Sequence, residues 1–139
     1  MAFDRAEVLK RIDSVSGVIE RHAGWAEQQG RLHDRALQAL VEAQVPRLFL
    51  PASLGGLEVD PVTCALACEK LAVADTAAAW HVMVFNVARL MAAQWPQALV
   101  ELLWADDPDT LVAASGHTPL QAVPQGDGHL MSGRQRIVS

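Results

Sequence analysis

The sequence predicts a mainly α-helical fold that gives way to β-strands near its C-terminal end. Apolar residues recur every three or four positions up to about Trp104, whereas after Thr110 they form short runs bounded by glycine and aspartate. At 139 residues, of which 51% are hydrophobic, the chain is long enough for one domain with a sizeable core. We therefore expect an all-helical domain over residues 1–108 and the beginning of an incomplete β domain over residues 109–139.

Composition argues against several classes of partner. Eleven Lys and Arg against sixteen Asp and Glu give a net charge of -5, and neither sign is gathered into a block, so we expect neither nucleic acid nor a membrane surface as a partner. The apolar stretch 76–95 contains His81, Asn86, Arg89 and Gln94, which favours a buried helix over a membrane span. With two cysteines and no leader-like start, the expected compartment is the cytoplasm.

Two long helical patterns open the chain. Asp4 precedes the first as a capping residue, and the pattern ends near Gly30. A second helix begins at about Asp34, which we expect to cap it, and stops before Pro46, because a residue that precedes proline is disfavoured in the α region. The first helix carries its apolar residues at Val8, Ile12, Val15, Ile19, Ala23 and Ala26.

The following segments alternate between connections and helices. Residues 47–56 predict a buried connection that ends in a glycine turn, and Asp60 with Pro61 begins a helix that runs to about Val73. Asp75 caps the apolar helix, and Pro96 opens a fifth helix. The expected strands contain residues 111–113, 122–123 and 129–132, with a turn at residues 125–128.

The apolar helix carries three polar residues toward one side. At about 100° per residue, Arg89 lies about 80° and Asn86 about 140° around the helix from His81. Because unpaired buried polar groups are costly, these side chains either face a cavity or meet partners such as Glu69 or Asp75. Other chemistry-bearing residues favour plainer interpretations: buried core for Cys64 and Cys68, and solvated surface for His22 and His33.

Four stretches in order resemble the N-terminal part of the acyl-CoA dehydrogenase superfamily of flavoproteins, and within it the flavin-dependent monooxygenase branch. They are LFLPASLGGLEVDP (residues 48–61), EKLAVADTAAAW (69–80), WADDPDTLVAA (104–114) and AVPQGDGHLMSGR (122–134). The resemblance implies a helical domain followed by the first strands of a β-barrel domain that is truncated here. It also implies that the catalytic residues lie in a C-terminal part that this sequence does not contain, so none is assigned.

The resemblance further implies a flavin cofactor, FAD or FMN, and a small hydrophobic or aromatic substrate. It implies that His81, Asn86 and Arg89 line the substrate pocket, and that the loop formed by Ser115, Gly116, His117 and Thr118 approaches the flavin. It also implies a flavin reductase as partner and a homo-oligomeric full-length form. Both an oxygenase supplied with reduced flavin and an acyl-CoA dehydrogenase are compatible with the pattern, and the oxygenase is favoured.

Two departures from the family pattern keep other functions open. Leu120 stands where the family loop has glycine. Family members often carry tryptophan shortly after the Ser132–Gly133 pair, whereas this sequence continues with Arg134 and Gln135. These departures favour an alternative in which the chain is a non-catalytic interaction module that associates with a fuller flavoprotein subunit. An unrelated helical scaffold is the third possibility.

Overall fold

The computed structural model describes residues 4–113 and 120–134, and within these ranges it forms five α-helices followed by a two-stranded antiparallel hairpin. The expected mainly helical fold with strands near the C-terminal end is confirmed. Among these residues, no helix is long and apolar enough to cross a membrane. The elements are α1 (Arg5–Gln29), α2 (Asp34–Glu42), α3 (Pro61–Ala72), α4 (Thr76–Met91), α5 (Gln97–Trp104), β1 (Gln121–Gln125) and β2 (Gly128–Ser132).

The helix ends follow the capping signals, with one correction. The Asp4 carboxylate caps α1, and Gly30 ends it with a φ of 66°, a backbone conformation that glycine adopts without strain. The cap of α2 is His33 and not the expected Asp34: the His33 Nδ1 atom accepts the backbone N–H of Arg35. Asp34 is the first residue of the helix, and its carboxylate pairs with Arg31 at 2.7 Å.

Helices α3 and α4 begin where the sequence predicts. The Asp60 carboxylate accepts the Thr63 hydroxyl at 2.5 Å and the Thr63 backbone N–H at 3.0 Å. These two hydrogen bonds hold the pKa of Asp60 below its usual range. Asp75 caps α4 by accepting the backbone N–H of Ala77 at 2.9 Å. Both caps satisfy N–H groups that the first turn of a helix leaves without partners.

The core lies between α1, α2, α3 and α4. Helix α3 packs against both α1 and α4, and α2 packs against α1. Full burial of an aliphatic side chain contributes about 1.5 to 3 kcal/mol, so these contacts are the main source of stability. The fully buried aliphatic residues of this cluster include Val8, Ile12, Ile19, Leu40, Leu71 and Val82.

The connection between α2 and α3 folds back on itself. Backbone hydrogen bonds join Leu57 N–H to the Arg47 carbonyl and Val59 N–H to the Leu48 carbonyl. Gly56 makes this close approach possible, because a Cβ at this position would lie 1.9 Å from a backbone carbonyl oxygen. Backbone hydrogen bonds thus tie the connection to itself, and its buried leucines belong to the two core clusters on either side.

The C-terminal segment differs in part from expectation. Residues 121–125 and 128–132 form the expected hairpin, with Ala122 opposite Met131. Residues 111–113 do not form the expected strand. Instead Val112 packs against the small cluster around Leu50 and Trp104, and within the described residues no strand lies beside it. The division between domains after residue 108 stays a prediction.

The histidines near the end of α1 also differ from expectation. His22 and His33 are only half-buried, but their rings stack on each other with centroids 4.0 Å apart, and the edge of Trp25 meets His33 at 4.7 Å. Desolvation, followed by the nearby charges of His33, Arg35 and Arg21, lowers the pKa of His22. The sequence could not indicate this contact, because it depends on the reversal of the chain at Gly30.

Candidate functional site: the two faces of helix α4

The inner face of α4 is held in place by Asn86, whose side chain is fully buried. Its Nδ2 atom donates to the carbonyls of Val45 at 3.0 Å and Val82 at 2.9 Å, and its Oδ1 atom accepts the backbone N–H of Phe49 at 3.2 Å. The side-chain amide of Asn86 thereby supplies hydrogen-bond partners to two backbone groups of the connection before α3, at Val45 and Phe49. Both polar atoms of the Asn86 side chain, Nδ2 and Oδ1, are therefore engaged in hydrogen bonds to the backbone.

Arg89 lies on the same inner face and is 2% exposed. Its guanidinium donates to the carbonyls of Phe85 at 3.0 Å, Pro108 at 3.2 Å and Thr110 at 2.9 Å, and it lies over the Trp104 ring at 5.4 Å. Burial lowers the pKa of Arg89 to about 10, so it remains a cation at neutral pH. Arg89 thus holds the segment that follows α5, at residues 108–110.

A second arginine holds the same segment from the other side. The Arg47 guanidinium forms a bidentate ion pair with the Asp109 carboxylate, and this contact raises the pKa of Arg47. The Trp104 indole N–H also donates to the Thr110 carbonyl at 3.0 Å. Residues 108–110 are therefore fixed by side chains from α4, α5 and the connection before α3. The partners expected from the sequence, Glu69 and Asp75, do not take part.

His81 is half-buried, and its Nδ1 atom lies 2.7 Å from the Ala77 carbonyl oxygen. It borders a cavity of about 420 Å³ between the end of α1 and the start of α4, whereas Arg89 borders a separate cavity of about 150 Å³. The three residues expected at a substrate pocket are therefore not brought together. Their role at such a pocket stays a prediction, and Asn86 and Arg89 have their donors largely engaged by backbone.

The outer face of α4 carries a feature that the sequence analysis missed. Trp80, Val84, Val87 and Met91 lie within about 60° of one another around the helix, and we call this set the outer stripe. Trp80 and Met91 are each 54% exposed and Val87 is 38% exposed. Their spacing of four, three and four residues was the available signal. It was overlooked because the same helix is apolar on other sides as well.

At Arg89 and at the outer stripe, the polarity of α4 is therefore the reverse of that of an ordinary surface helix, which buries apolar side chains and exposes polar ones. Arg89 lies about 180° around the helix from Trp80, in the core, while the outer stripe faces away from it. A contiguous exposed apolar face on a packed domain marks a surface that contacts a partner, a ligand or another domain. The outer stripe is thus the strongest candidate for a functional surface among the described residues.

The other expected site residues contribute less to the described structure. The proposed cofactor loop, Ser115, Gly116, His117 and Thr118, lies outside the described residues. Cys64 is buried, and its hydrogen bond with Cys68 together with burial raises the pKa of the Cys64 thiol. Across residues 4–113 and 120–134, no three His, Cys, Asp or Glu side chains form a group that could hold a metal ion.

The helical part of the chain matches a known protein family. The family model described as acyl-CoA dehydrogenase, N-terminal domain, matches residues 12–96, which is more than half of the chain. The chain belongs to this family, and the resemblance drawn from the sequence is confirmed.

Curated relatives narrow the comparison within the family. Over 131 residues the chain is 30% identical to the flavin-dependent monooxygenase oxygenase subunit HsaA of Mycobacterium tuberculosis, a match that covers 94% of this chain and 33% of the relative. It is 28% identical to the oxygenase component of p-hydroxyphenylacetate 3-hydroxylase of Acinetobacter baumannii, over 89% of this chain and 29% of the relative. The chain therefore spans about a third of the length of the curated relatives that it matches.

Solved structures agree with the sequence relatives. The chain superposes on XiaF from Streptomyces sp., solved in complex with FADH2 and glycerol, with a TM-score of 0.90 and 26% identity, over 93% of this chain and 33% of that one. It superposes on the HsaA monooxygenase of M. tuberculosis with a TM-score of 0.85 and 28% identity, over 94% of this chain and 36% of that one.

Proposed function

We propose that the chain forms the N-terminal portion of the oxygenase component of a two-component flavin-dependent monooxygenase. The observation that carries this proposal is the agreement of nearly the whole chain, in sequence and in fold, with the HsaA oxygenase subunit. An acyl-CoA dehydrogenase is the less favoured reading, because the relatives compared above are named as monooxygenases or hydroxylases. The complete protein acts on a small hydrophobic or aromatic substrate, receives reduced flavin from a reductase, and is a homo-oligomer.

The outer stripe is the part of this chain that we assign to the oxygenase site. An isoalloxazine ring, or an aromatic substrate, needs apolar surface against its faces and hydrogen-bond donors at its edges. Trp80 and Val87 supply exposed apolar surface, but they offer only the indole N–H as a donor. The residues of the stripe therefore fit a flavin as a wall and not as a complete site. Reduced flavin, when bound, supplies the oxygen chemistry, and the stripe excludes water from the place where it occurs.

The loop after α5 is the second contribution that we propose. Arg89 and the Arg47–Asp109 pair fix residues 108–110, and this fixed point holds the start of the segment that leads to Ser115, Gly116, His117 and Thr118. In this proposal, backbone N–H groups of that loop donate to the flavin edge that the stripe cannot serve. The β domain begins after residue 108 in this proposal.

The test is a chimera in which this chain replaces the matching third of the M. tuberculosis HsaA oxygenase subunit. A chimera that melts cooperatively, binds reduced flavin and consumes oxygen in the presence of a reductase supports the proposal. In that chimera we expect Trp80→Ala to weaken flavin or substrate binding. Leu102→Ala, at an 81% exposed position on α5, serves as the matched control. A cooperatively folded chimera that binds no flavin overturns the proposal.

A second candidate function is a non-catalytic module that associates with a fuller flavoprotein subunit. It is favoured by Leu120, which stands where the family loop has glycine and whose side chain lies so close to Gly133 that an added Cβ there would be 3.0 Å away. In this case the outer stripe is a protein interface. The chimera then folds without flavin binding, while the separate chain binds the HsaA subunit from which the matching third has been removed.

A further inference from the structure

The cavity beside His81 combines an apolar floor with a charged rim. It has a volume of about 420 Å³, within the range of small-molecule sites, and lies between the C-terminal end of α1 and the N-terminal end of α4. It is separate from the outer stripe, because His81 lies about 100° around α4 from Trp80. We call its apolar lining side chains, Ala23, Ala26, Leu32 and Ala77, the floor, and its polar lining side chains, Glu27, Arg31, Asp75 and His81, the rim.

The only cation on this rim, among the described residues, is already engaged. Arg31 pairs with the Asp34 carboxylate at 2.7 Å, donates to the Leu32 carbonyl at 3.3 Å, and lies over the Trp25 ring at 4.9 Å. Its charge is therefore matched by Asp34 outside the cavity. The rim offers an incoming ligand little positive charge.

His81 lines the cavity, and its neutral imidazole has one nitrogen that can accept a hydrogen bond. A carbonyl oxygen can only accept, so the 2.7 Å contact with Ala77 requires the proton of the neutral ring to be on Nδ1. The Nε2 atom of the neutral ring then carries a lone pair. His81 is consequently suited to receive a hydrogen bond from a ligand.

The two carboxylates of the rim lack cationic partners. Within the described residues neither Glu27 nor Asp75 forms an ion pair, and Asp75 uses one oxygen to cap α4. The C-terminal end of α1, which carries partial negative charge, has no basic residue in its last turn. The opposite partial charge at the start of α4 is offset by Asp75. The charged groups that line the cavity, counted together with Asp34, therefore sum to a net negative charge.

We propose that this cavity binds a small organic ammonium compound with an apolar body. Its apolar part lies on the floor, its ammonium group lies between Glu27 and Asp75, and one of its N–H groups donates to His81 Nε2. This inference goes beyond the oxygenase proposal and does not depend on it, because it concerns a different face of α4.

The test uses three probes of similar shape and different charge: phenethylamine, phenethyl alcohol and phenylacetate. Binding to the 139-residue chain is followed by the amide NMR shifts of Gly24 and Gly30, which line the cavity. We expect phenethylamine to bind with a dissociation constant of about a millimolar, at least about five-fold more tightly than the alcohol. Phenylacetate is expected to produce no saturable shift.

Two substitutions separate the charge from the fold. Asp75→Asn keeps a capping oxygen while removing the charge, and Glu27→Gln lies at an exposed helical position. In the double variant we expect the preference for the amine to fall to within about two-fold of the alcohol. Glu20→Gln, on α1 but outside this cavity, is the control and retains the preference. If the double variant loses its fold, Glu27→Gln alone supplies the comparison.

Three results overturn the proposal. They are equal binding of all three probes, preference for phenylacetate, and absence of binding by phenethylamine at concentrations well above a millimolar. An amine preference that is not reduced by removal of the Glu27 charge in a folded variant also contradicts it. None of these results bears on the flavin-binding chimera, so failure of this proposal and failure of the oxygenase proposal are distinguishable.

Discussion

Replacing Asn86 with alanine removes three hydrogen bonds from the interior of the molecule at once. The Phe49 N–H group loses its acceptor, and the carbonyls of Val45 and Val82 each lose a donor. An unsatisfied buried donor costs about 1 to 3 kcal/mol, and each of the other lost bonds about 1 kcal/mol. We therefore expect Asn86→Ala to lower the free energy of unfolding by about 3 to 5 kcal/mol.

The assay is urea unfolding followed by circular dichroism, with Val87→Ala as the matched control. Val87 is the next residue of α4 and is itself 38% exposed on the outer face, so its truncation is expected to cost less than about 1 kcal/mol. A loss below about 1 kcal/mol for Asn86→Ala would show that its amide is not needed for the fold. That result would refute the structural role of the inner face and favour a role in substrate binding.

Further predictions concern the connection before α3, the Arg47–Asp109 ion pair and the N-cap of α3. Gly56→Ala should lower the free energy of unfolding by more than about 3 kcal/mol, because its Cβ would lie 1.9 Å from a carbonyl oxygen, whereas Gly24→Ala in open helix should be neutral or stabilising in the same urea assay. A double-mutant cycle on Arg47→Ala and Asp109→Ala should give a coupling of about 1 to 3 kcal/mol, and a coupling near zero would contradict the ion pair. Hydrogen bonds from the first turn of α3 lower the pKa of Asp60. Its contribution to the free energy of unfolding is therefore present above the ordinary pKa of an aspartate and is lost as the pH falls through the lowered pKa of the folded state. Asp60→Asn should flatten the acid side of the profile of stability against pH, below about pH 4.

The helix boundaries were predictable because their determinants are local. Asp4, Asp60 and Asp75 each accept an N–H of the turn that they precede, and the sequence alone carries that signal. The cap of α2 was misassigned by one residue, since both His33 and Asp34 carry a suitable acceptor. His33 has the extended backbone of a capping residue, with φ of -69° and ψ of 141°, whereas Asp34 is already the first residue of the helix.

The faces of α4 were harder to predict because their environment is not local. The polar residues Asn86 and Arg89 suggested a pocket, but their partners are backbone carbonyls around residues 45 and 108–110. Residues 111–113 were expected to be a strand, since their composition favours one, yet a strand also needs a neighbour to pair with. Hydrophobic periodicity indicates that a helix is buried but not which elements surround it.

The proposed contribution of this chain, one part of a flavin site, is tested most directly by isothermal titration of FAD into the 139-residue chain, with sizing by light scattering on the same sample. The outer stripe supplies apolar surface without the donors that a flavin needs, so we expect no binding at micromolar concentrations. We also expect self-association, because the hairpin and the outer stripe leave Val123, Leu130 and Trp80 more than half exposed. Binding of FAD at micromolar or tighter affinity by a monomer would contradict this account, because the chain would then contain a complete flavin site.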